Sequence, residues 1–252
     1  MNRWLIALIA AFFHPYSLSQ DVTAETASKY AIYAMVASNS YHKNDRVHFP
    51  VEQLGWIQVD LNGKPTSEPT RKFKSGLAYD IFEKNASDEV IFAYRGTDSK
   101  HDYFTSSLTI PPFNIQYIQA RKQFLEYKEK NPTKKITVTG HSLGGGLALS
   151  MSVRFGVDAV VFDSSPRVFD GVHNKHLPAS RVAVYEDGEI LVKARKYWHK
   201  FSEVVADNDV YKANFDFGKI NKHRCDYLAL NLLNLGATTS VELETVRSKI
   251  AK

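Results

Sequence analysis

The sequence contains very little cysteine. Cys225 is the single cysteine among 252 residues, so an intramolecular disulfide is excluded. The chain also lacks Pro/Gly/Ser-rich linkers, internal repeats and blocks of like charge, so its composition does not divide it into separate domains. Because 44% of the residues are hydrophobic, we expect one sizeable core in one domain.

The charge pattern argues against nucleic-acid binding. The formal net charge is only +5, and the basic residues form small scattered groups such as Lys193, Arg195 and Lys196. No nucleic-acid recognition motif accompanies them, so they predict a solvated surface with a mild preference for anionic partners such as acidic lipid. His223 and Cys225 belong to no Cys/His cluster with zinc spacing, and we expect neither a metal nor an organic cofactor.

The apolar run at the N-terminus is too short to span a bilayer. Residues 4–13 are continuously apolar, follow a positively charged start, and precede small residues at Ser17 and Ser19. This arrangement is typical of a secretory signal peptide. We therefore predict a signal in residues 1–19, a single domain in residues 20–252, and a secreted or periplasmic protein. A buried first helix or a membrane tether is the alternative.

Strand-like and helix-like segments alternate through the rest of the chain. Periodicity predicts helices over residues 23–41, 114–129, a segment after Ser142, and 226–250. In the second of these we expect Ile118, Phe124 and Tyr127 to be buried. Runs rich in β-formers predict strands within residues 55–60, 75–84, 88–96, 134–140, 157–165 and 180–186. This alternation predicts an α/β fold with a mostly parallel sheet covered on both faces.

A G-x-S-x-G motif, Gly140-His141-Ser142-Leu143-Gly144, lies where a predicted strand meets a predicted helix. In a nucleophile elbow the serine occupies a sharp, strained turn, and the glycines let neighbouring backbone approach closely. The helix that follows directs its N–H groups at the site, which favours developing negative charge. We predict that Ser142 is a nucleophile rather than part of an ordinary turn, and that His141 is structural.

A serine nucleophile requires a histidine base oriented by an acid, and in this fold both follow the serine in the chain. Four histidines lie beyond Ser142: His173, His176, His199 and His223. His173 and His176 precede the expected position of the acid, so we interpret them as loop residues.

Four segments in order resemble the class 3 lipase family, which comprises fungal-type triacylglycerol lipases and bacterial relatives with the α/β-hydrolase fold. They are YAIYAMVASNSY, VIFAYRGTDSKHDYFTSSL, VTGHSLGGGLA and VVFDSSPRVFD. They are similar to the family's N-terminal helix, its F-R-G-T/S strand, its elbow and its strand ending in G-S-P-R-V-G-N. The resemblance implies a serine hydrolase that cleaves lipid esters through an acyl-enzyme.

The resemblance also assigns roles to individual residues. Thr97 matches the residue that donates its backbone N–H, and often its hydroxyl, to the oxyanion, and Leu143 supplies the second N–H. His223 precedes the segment CDYLALNLL, at the position that looks like the family's catalytic histidine. His199 is the rival, although its lysine-rich surroundings favour a surface position.

The acid is open between two residues. Glu189-Ile190-Leu191 is similar to the family's D-I-V segment with Glu in place of Asp, whereas counting from the start of the strand favours Asp187. Asp187-Gly188 also reads as a turn pair, and we prefer Glu189. Asp163 departs from the family, which usually carries a small residue there. We expect it to hydrogen-bond near the elbow rather than to act in catalysis.

The substrate does not follow from these residues. Residues 101–113 are aromatic and apolar, and predict either a lid or acyl groove or side chains that pack on the sheet. The expected partner is a lipid or other ester, with transient contact to a lipid surface. Three alternatives remain: phospholipase A-type activity on anionic membrane lipid, a serine peptidase or acyltransferase on the same fold, and an inactive lipid- or partner-binding protein.

Overall fold

The computed structural model describes residues 19–68, 73, 75–97, 115–166, 177–197 and 204–250. The strands in this part of the chain are β1 (Gln20–Asp21), β2 (Trp56–Val59), β3 (Tyr79–Lys84), β4 (Glu89–Tyr94), β5 (Lys135–His141), β6 (Asp158–Phe162), β7 (Arg181–Glu186) and β8 (Val210–Ala213). The helices are α1 (Ala24–Asn39), α2 (Ile115–Lys130), α3 (Leu143–Phe155), α4 (Val192–Tyr197), α5 (Cys225–Gly236) and α6 (Val241–Ile250).

The described strands form one eight-stranded sheet in the order β1-β8-β7-β6-β5-β4-β3-β2. Pairing is parallel from β1 across to β4 and antiparallel for β4–β3 and β3–β2. Parallel neighbours need a crossover connection, which α3 supplies between β5 and β6. The carboxyl ends of these parallel strands therefore share one edge of the sheet, and the predicted α/β architecture is confirmed.

Two hydrophobic clusters cover the two faces of the sheet. Along β4, Ile91 and Ala93 belong to the cluster formed with α1, α5 and α6. Val90, Phe92 and Tyr94 belong to the opposite cluster, formed with α2 and α3. Side chains alternate between the faces of a strand, so a strand buried on both faces must be almost continuously apolar, as EVIFAY is.

One predicted core position on α2 is wrong. Ile118 is 59% exposed, whereas Phe124 and Tyr127 are buried as expected. The buried stripe also contains Tyr117 and Ala120, so its members recur every three or four residues along the helix. Because a helix turns about 100° per residue, Ile118 lies on the solvent side of that stripe.

The helix predicted over residues 226–250 is two helices, α5 and α6. A Cβ on Gly236 would lie 2.7 Å from the backbone nitrogen of Ser28, so glycine lets α5 pack against α1 at its end. Ser240 then accepts a hydrogen bond from the Leu243 N–H at 3.3 Å and caps the start of α6. The short elements β1, β8 and α4 were not predicted, because their few residues carry no clear periodicity.

None of the described helices combines the length and apolar character needed to cross a membrane. The apolar run at residues 4–13 and the segment 101–113 lie outside the described residues.

Candidate active site

Ser142 occupies a strained turn between β5 and α3. Its backbone angles are φ 58° and ψ −125°, a combination that residues other than glycine rarely adopt. The Ser142 N–H donates to the Phe162 carbonyl at 3.1 Å, and the Ser165 N–H donates to the Ser142 carbonyl at 2.8 Å. These bonds hold the turn from the adjacent end of β6, as a nucleophile elbow requires.

Glycines around the turn allow α3 to lie directly against the sheet. A Cβ on Gly144 would overlap the carbonyl oxygen of Tyr94 in β4. One on Gly145 would lie 2.6 Å from the Cβ of Ser164, which follows β6. The glycines are therefore needed for this close packing, which brings the N-terminus of α3 against the ends of both strands.

Glu189 and His223 are in direct contact. Glu189 follows β7, His223 lies just before α5, and both side chains are buried. The His223 Nδ1 atom lies 2.6 Å from Oε2 of Glu189, which also accepts the Leu191 N–H at 2.8 Å. Asp187 lies in the preceding turn, where its N–H donates to the Ala213 carbonyl at 2.7 Å. Of the two candidate acids, Glu189 is the one that contacts His223.

Arg195 on α4 also binds Glu189. The prediction that Lys193, Arg195 and Lys196 form a solvated surface is therefore wrong for Arg195. Its guanidinium is buried, with Nη2 donating to Oε1 of Glu189 and Nη1 donating to the Ser164 carbonyl at 2.9 Å. It also stacks over Tyr185, with 5.0 Å between the guanidinium carbon and the ring centroid. The sequence around Arg195 offered no signal for this contact, because it depends on how the chain turns between β7 and α4.

These contacts fix the charge state of the pair. Burial alone would raise the pKa of Glu189, but the hydrogen bond from His223 and the Arg195 charge hold the pKa below its ordinary value. Burial, reinforced by His141, lowers the pKa of His223. An ionised Glu189 can only accept, so Nδ1 of His223 carries the proton and Nε2 carries the lone pair.

His141 connects this pair to the elbow. Its ring centroid lies 4.5 Å from that of His223, and it directly precedes Ser142 in the chain. Its Nδ1 lies 2.9 Å from the Tyr41 hydroxyl. Burial, followed by the charge of Arg46, lowers the pKa of His141 to about 3, so the ring is neutral at ordinary pH. The sequence did not predict the part played by Tyr41.

Asp163 follows β6, and its side chain lies near the His141 ring. Its φ of 40° is positive, and its carboxylate is fully buried. Oδ1 accepts the Glu186 N–H at 2.8 Å, while Oδ2 lies 3.7 Å from Nε2 of His141. Burial, then repulsion from Glu189, raises the pKa of Asp163 to about 7. A hydrogen bond near the elbow, expected from the sequence, is thus present.

The predicted oxyanion donors lie at the ends of β4 and β5. A Cβ on Gly96 would stand 3.1 Å from the Cβ of Ser142, so the backbone leading into Thr97 passes beside Ser142. The Thr97 hydroxyl is buried, with no hydrogen-bond partner among the described residues. Leu143 is the first residue of α3, where the backbone N–H groups of a helix have no intrahelical acceptor.

Among the described residues, three of these side chains form a group that could hold a metal ion. Ligand-type atoms of His141, Asp163 and His223 lie within 4.8 Å of one another. Of these three, His223 already contacts Glu189 through its Nδ1 atom. The other candidate histidines, His173, His176 and His199, lie outside the described residues.

Comparisons with known proteins bear on the family and the fold of the chain. The phospholipase-like family described as the Tle-like phospholipase domain matches residues 32–206, which include the elbow and Glu189. No curated protein matches by sequence. A lipase from Rhizopus microsporus var. chinensis is similar in structure, with 14% sequence identity, a TM-score of 0.51, and coverage of 84% of this chain and 94% of that chain. The Lip2 lipase from Yarrowia lipolytica has 16% identity, a TM-score of 0.46, and coverage of 72% and 77%.

The Rhizopus comparison shows that the α/β-hydrolase fold is shared. The match to residues 32–206 covers well over half of the sequence. The chain therefore belongs to the Tle-like phospholipase family.

Proposed function

We propose that the protein hydrolyses carboxylic esters of lipids through a Ser142–His223–Glu189 triad. The observation that carries the proposal is the buried contact between His223 and ionised Glu189, at 2.6 Å. The His223 ring lies 4.5 Å from that of His141, the residue before the strained turn at Ser142. A serine in an ordinary turn does not require a buried histidine whose tautomer is fixed by a carboxylate. A group of this kind, with shifted pKa values in one place, is typical of a catalytic site.

The roles follow from the protonation states. Nε2 of His223 takes the hydroxyl proton of Ser142 as its oxygen attacks the ester carbonyl. The backbone N–H groups of Thr97 and Leu143 stabilise the tetrahedral oxyanion, and the loss of one such donor typically costs about 10²–10³-fold in rate. The alcohol leaves with the proton from His223. Water, deprotonated by the same nitrogen, then attacks the acyl-enzyme and releases the fatty acid.

Two supports favour lipid esters over other acyl compounds. The family to which the chain belongs is named for phospholipases, and the solved structures similar in fold are named as lipases. The exposed Ile118 and Ile115 on α2, 59% and 60% exposed, add apolar surface next to the segment 101–113 in the chain. Phospholipid is the finer substrate class that this family name suggests.

We also propose that residues 1–19 are an export signal. Gln20 and Asp21 already pair in parallel with β8, and the Ser19 hydroxyl lies 3.1 Å from the Tyr185 hydroxyl. A chain cleaved near residue 19 would therefore begin at the edge of the sheet. N-terminal sequencing of exported protein tests this directly. A mature chain that still begins at Met1 contradicts the proposal.

The test of the catalytic proposal compares wild type with Ser142→Ala on p-nitrophenyl esters of increasing chain length, together with labelling by a fluorophosphonate. We expect wild type to be active and labelled, and Ser142→Ala to be neither. Ser164→Ala is the matched control, because its buried hydroxyl has no hydrogen-bond partner among the described residues. It should keep both activity and labelling.

The outcomes separate the alternatives. Labelling without ester hydrolysis would indicate a serine peptidase or acyltransferase, which product analysis with amine and alcohol acceptors identifies. Folded wild type that is neither labelled nor active would indicate a binding protein that retains the elbow as a turn. Labelling that survives in Ser142→Ala would assign the nucleophile elsewhere.

A further inference from the structure

The base and the acid of the proposed triad lie in two different connecting segments. Glu189 closes the acid turn, residues 186–189 at the end of β7, and His223 lies in the base loop, residues 214–224 between β8 and α5. The two residues are 34 positions apart. A misplacement of about 1 Å in an active site can cost about 10²-fold in rate, so contacts that join the base loop to the acid turn matter for catalysis.

Lys222, the residue before His223, joins the base loop to the acid turn. Its Nζ atom donates to Oε1 of Glu186 at 3.1 Å and to the Asp187 carbonyl at 2.9 Å. The Glu189 N–H in turn donates to the Glu186 carbonyl at 3.3 Å. One ammonium group therefore contacts the acid turn at two points, both within three residues of the triad acid.

Glu186 is a fixed partner for this ammonium group. Its side chain is fully buried, and both carboxylate oxygens lie 3.1 Å from the Phe215 nitrogen, whose N–H they accept. The Glu186 N–H donates to Oδ1 of Asp163 at 2.8 Å. Burial raises the pKa of Glu186, whereas the hydrogen bonds from Phe215 and Lys222 oppose that rise. Lys222 therefore favours the ionised form of a carboxylate that the fold holds in place.

Arg224, which follows His223, makes a different connection. Its Nε and Nη2 atoms bind the two carboxylate oxygens of Asp226 on α5, at 2.8 and 2.7 Å. This contact holds the base loop to the helix rather than to the acid turn. Among the described residues of the base loop, Lys222 and His223 are the side chains that hydrogen-bond to the acid turn.

We propose that Lys222 is a positioning residue for the base. By binding Glu186 and the carbonyl of the next residue, it fixes the base loop against the acid turn. This link places Nε2 of His223 for proton transfer from Ser142, so the assignment rests on the proposed function. An ordinary surface ion pair contributes little stability and does not affect an active site. Lys222 differs because its partners are a buried carboxylate and a main-chain carbonyl beside the triad acid.

The test measures kcat and KM of Lys222→Met on a soluble p-nitrophenyl ester. Methionine keeps most of the apolar stem and removes the ammonium group. We expect kcat to fall about 10–100-fold while KM stays within about threefold of wild type, because only the placement of the base changes. Lys222→Arg should restore part of the loss, since its guanidinium keeps the charge and several donors. Wild-type kcat in folded Lys222→Met overturns the proposal.

Lys219→Met is the matched control, because Lys219 is an exposed lysine of the same base loop. It should keep kcat within about twofold of wild type, as expected for a surface substitution. A loss as large as that of Lys222→Met would assign the effect to the charge of the loop and overturn the proposal.

Glu186→Gln breaks the same ion pair from its buried side, and its amide oxygen can still accept the Phe215 N–H. It should lower kcat about 10-fold, and it decides the question if Lys222→Met does not fold. Because both changes remove one bond, the double variant should lie within about threefold of Lys222→Met. Losses that multiply in the double variant, or wild-type kcat in folded Glu186→Gln, overturn the proposal.

Proton NMR separates this proposal from the proposed function. The proton on Nδ1 of His223, held by ionised Glu189 at 2.6 Å, should give a strongly deshielded resonance that is absent in Glu189→Gln. It should shift upfield or disappear in Lys222→Met and stay unchanged in Lys219→Met. If wild type neither hydrolyses the ester nor reacts with a fluorophosphonate, the proposed function fails and this resonance alone tests the link. A changed resonance supports the link, and an unchanged one in folded Lys222→Met overturns it.

Discussion

Replacing Glu189 by glutamine tests the proposed triad most sharply, because the change keeps the shape of the side chain and removes its charge. In the wild type, Oε1 faces Arg195, and Oε2 accepts from both His223 and the Leu191 N–H. An amide must turn its NH₂ group toward one of these sides. The Arg195 cation favours the amide oxygen, so the NH₂ group faces Nδ1 of His223.

The expected consequence is the wrong tautomer of His223. If Nδ1 must accept a hydrogen bond, Nε2 carries the proton and cannot take another from Ser142. The equivalent acid-to-amide change in a serine protease triad lowers kcat about 10⁴-fold, and we expect a loss of about 10³–10⁴-fold for Glu189→Gln. Arg195 also loses its buried counter-ion, for which we expect a decrease of about 3 kcal/mol in the free energy of unfolding.

Asp187→Asn is the matched control. Asp187 is half-buried, and its backbone makes the turn contacts with Ala213 and Lys222. Asparagine suits the same turn, so activity should change by less than about twofold. The assay is kcat on a p-nitrophenyl ester, with urea unfolding measured in parallel. The reasoning is refuted if folded Glu189→Gln retains more than about a tenth of wild-type activity, or if Asp187→Asn loses as much, since one tenth is a barrier change of about 1.4 kcal/mol.

The comparison of wild type with Glu189→Gln also predicts how stability depends on pH. The pKa of Glu189 is lower in the folded protein than its ordinary value of 4.5, so its ionised form contributes stability fully above that pH. The contribution is lost as the pH falls through the folded-state pKa. The difference in unfolding free energy between wild type and Glu189→Gln should therefore narrow below pH 4.5. A difference that stays constant with acidification would contradict the ionised assignment.

Three further predictions follow from single contacts. Gly144→Ala should prevent folding or remove most of the stability, because its Cβ would overlap a main-chain carbonyl oxygen. Gly218→Ala is the control: its Cβ would meet open space, but the φ of 57° is strained for alanine. We expect it to lower the free energy of unfolding in urea by only about 1 kcal/mol. The acidic limb of kcat/KM against pH should lie below pH 6.5, because the pKa of His223 is lowered and its neutral form is required; a limb above pH 6.5 would contradict this. Cys225 should resist iodoacetamide until the protein unfolds, because burial raises its thiol pKa; modification of native protein, detected by mass spectrometry, would count against it.

Local patterns determined the elements that are long or strongly periodic. The apolar run in β4 predicted a strand buried on both faces, and α1 and α2 follow the predicted helices closely. The G-x-S-x-G motif located the turn at Ser142, because a tight strand-to-helix junction imposes small residues at fixed positions. The pattern failed at Ile118, since periodicity alone does not decide which of two adjacent residues faces the core.

The acid beside His223 could not be derived from the sequence. Glu189 and Asp187 are two residues apart and have the same charge, so spacing left both open. The fold distinguishes them because the chain turns at Asp187-Gly188 after β7, and of the two only Glu189 contacts His223. Arg195 was interpreted as a surface residue for the same reason: its partner lies six residues away, across a turn whose path has no local signature.

The sequence by itself predicted the kind of chemistry: an elbow serine, a downstream histidine and an acid on an alternating α/β chain. These depend on residue types and short spacings, which a linear chain records. Only the tertiary structure decided which carboxylate meets His223, that Arg195 neutralises it, and that Tyr41 contacts both Arg46 and His141. Tyr41 and His141 are 100 positions apart, and contacts over such separations depend on how the helices pack on the sheet rather than on any local pattern.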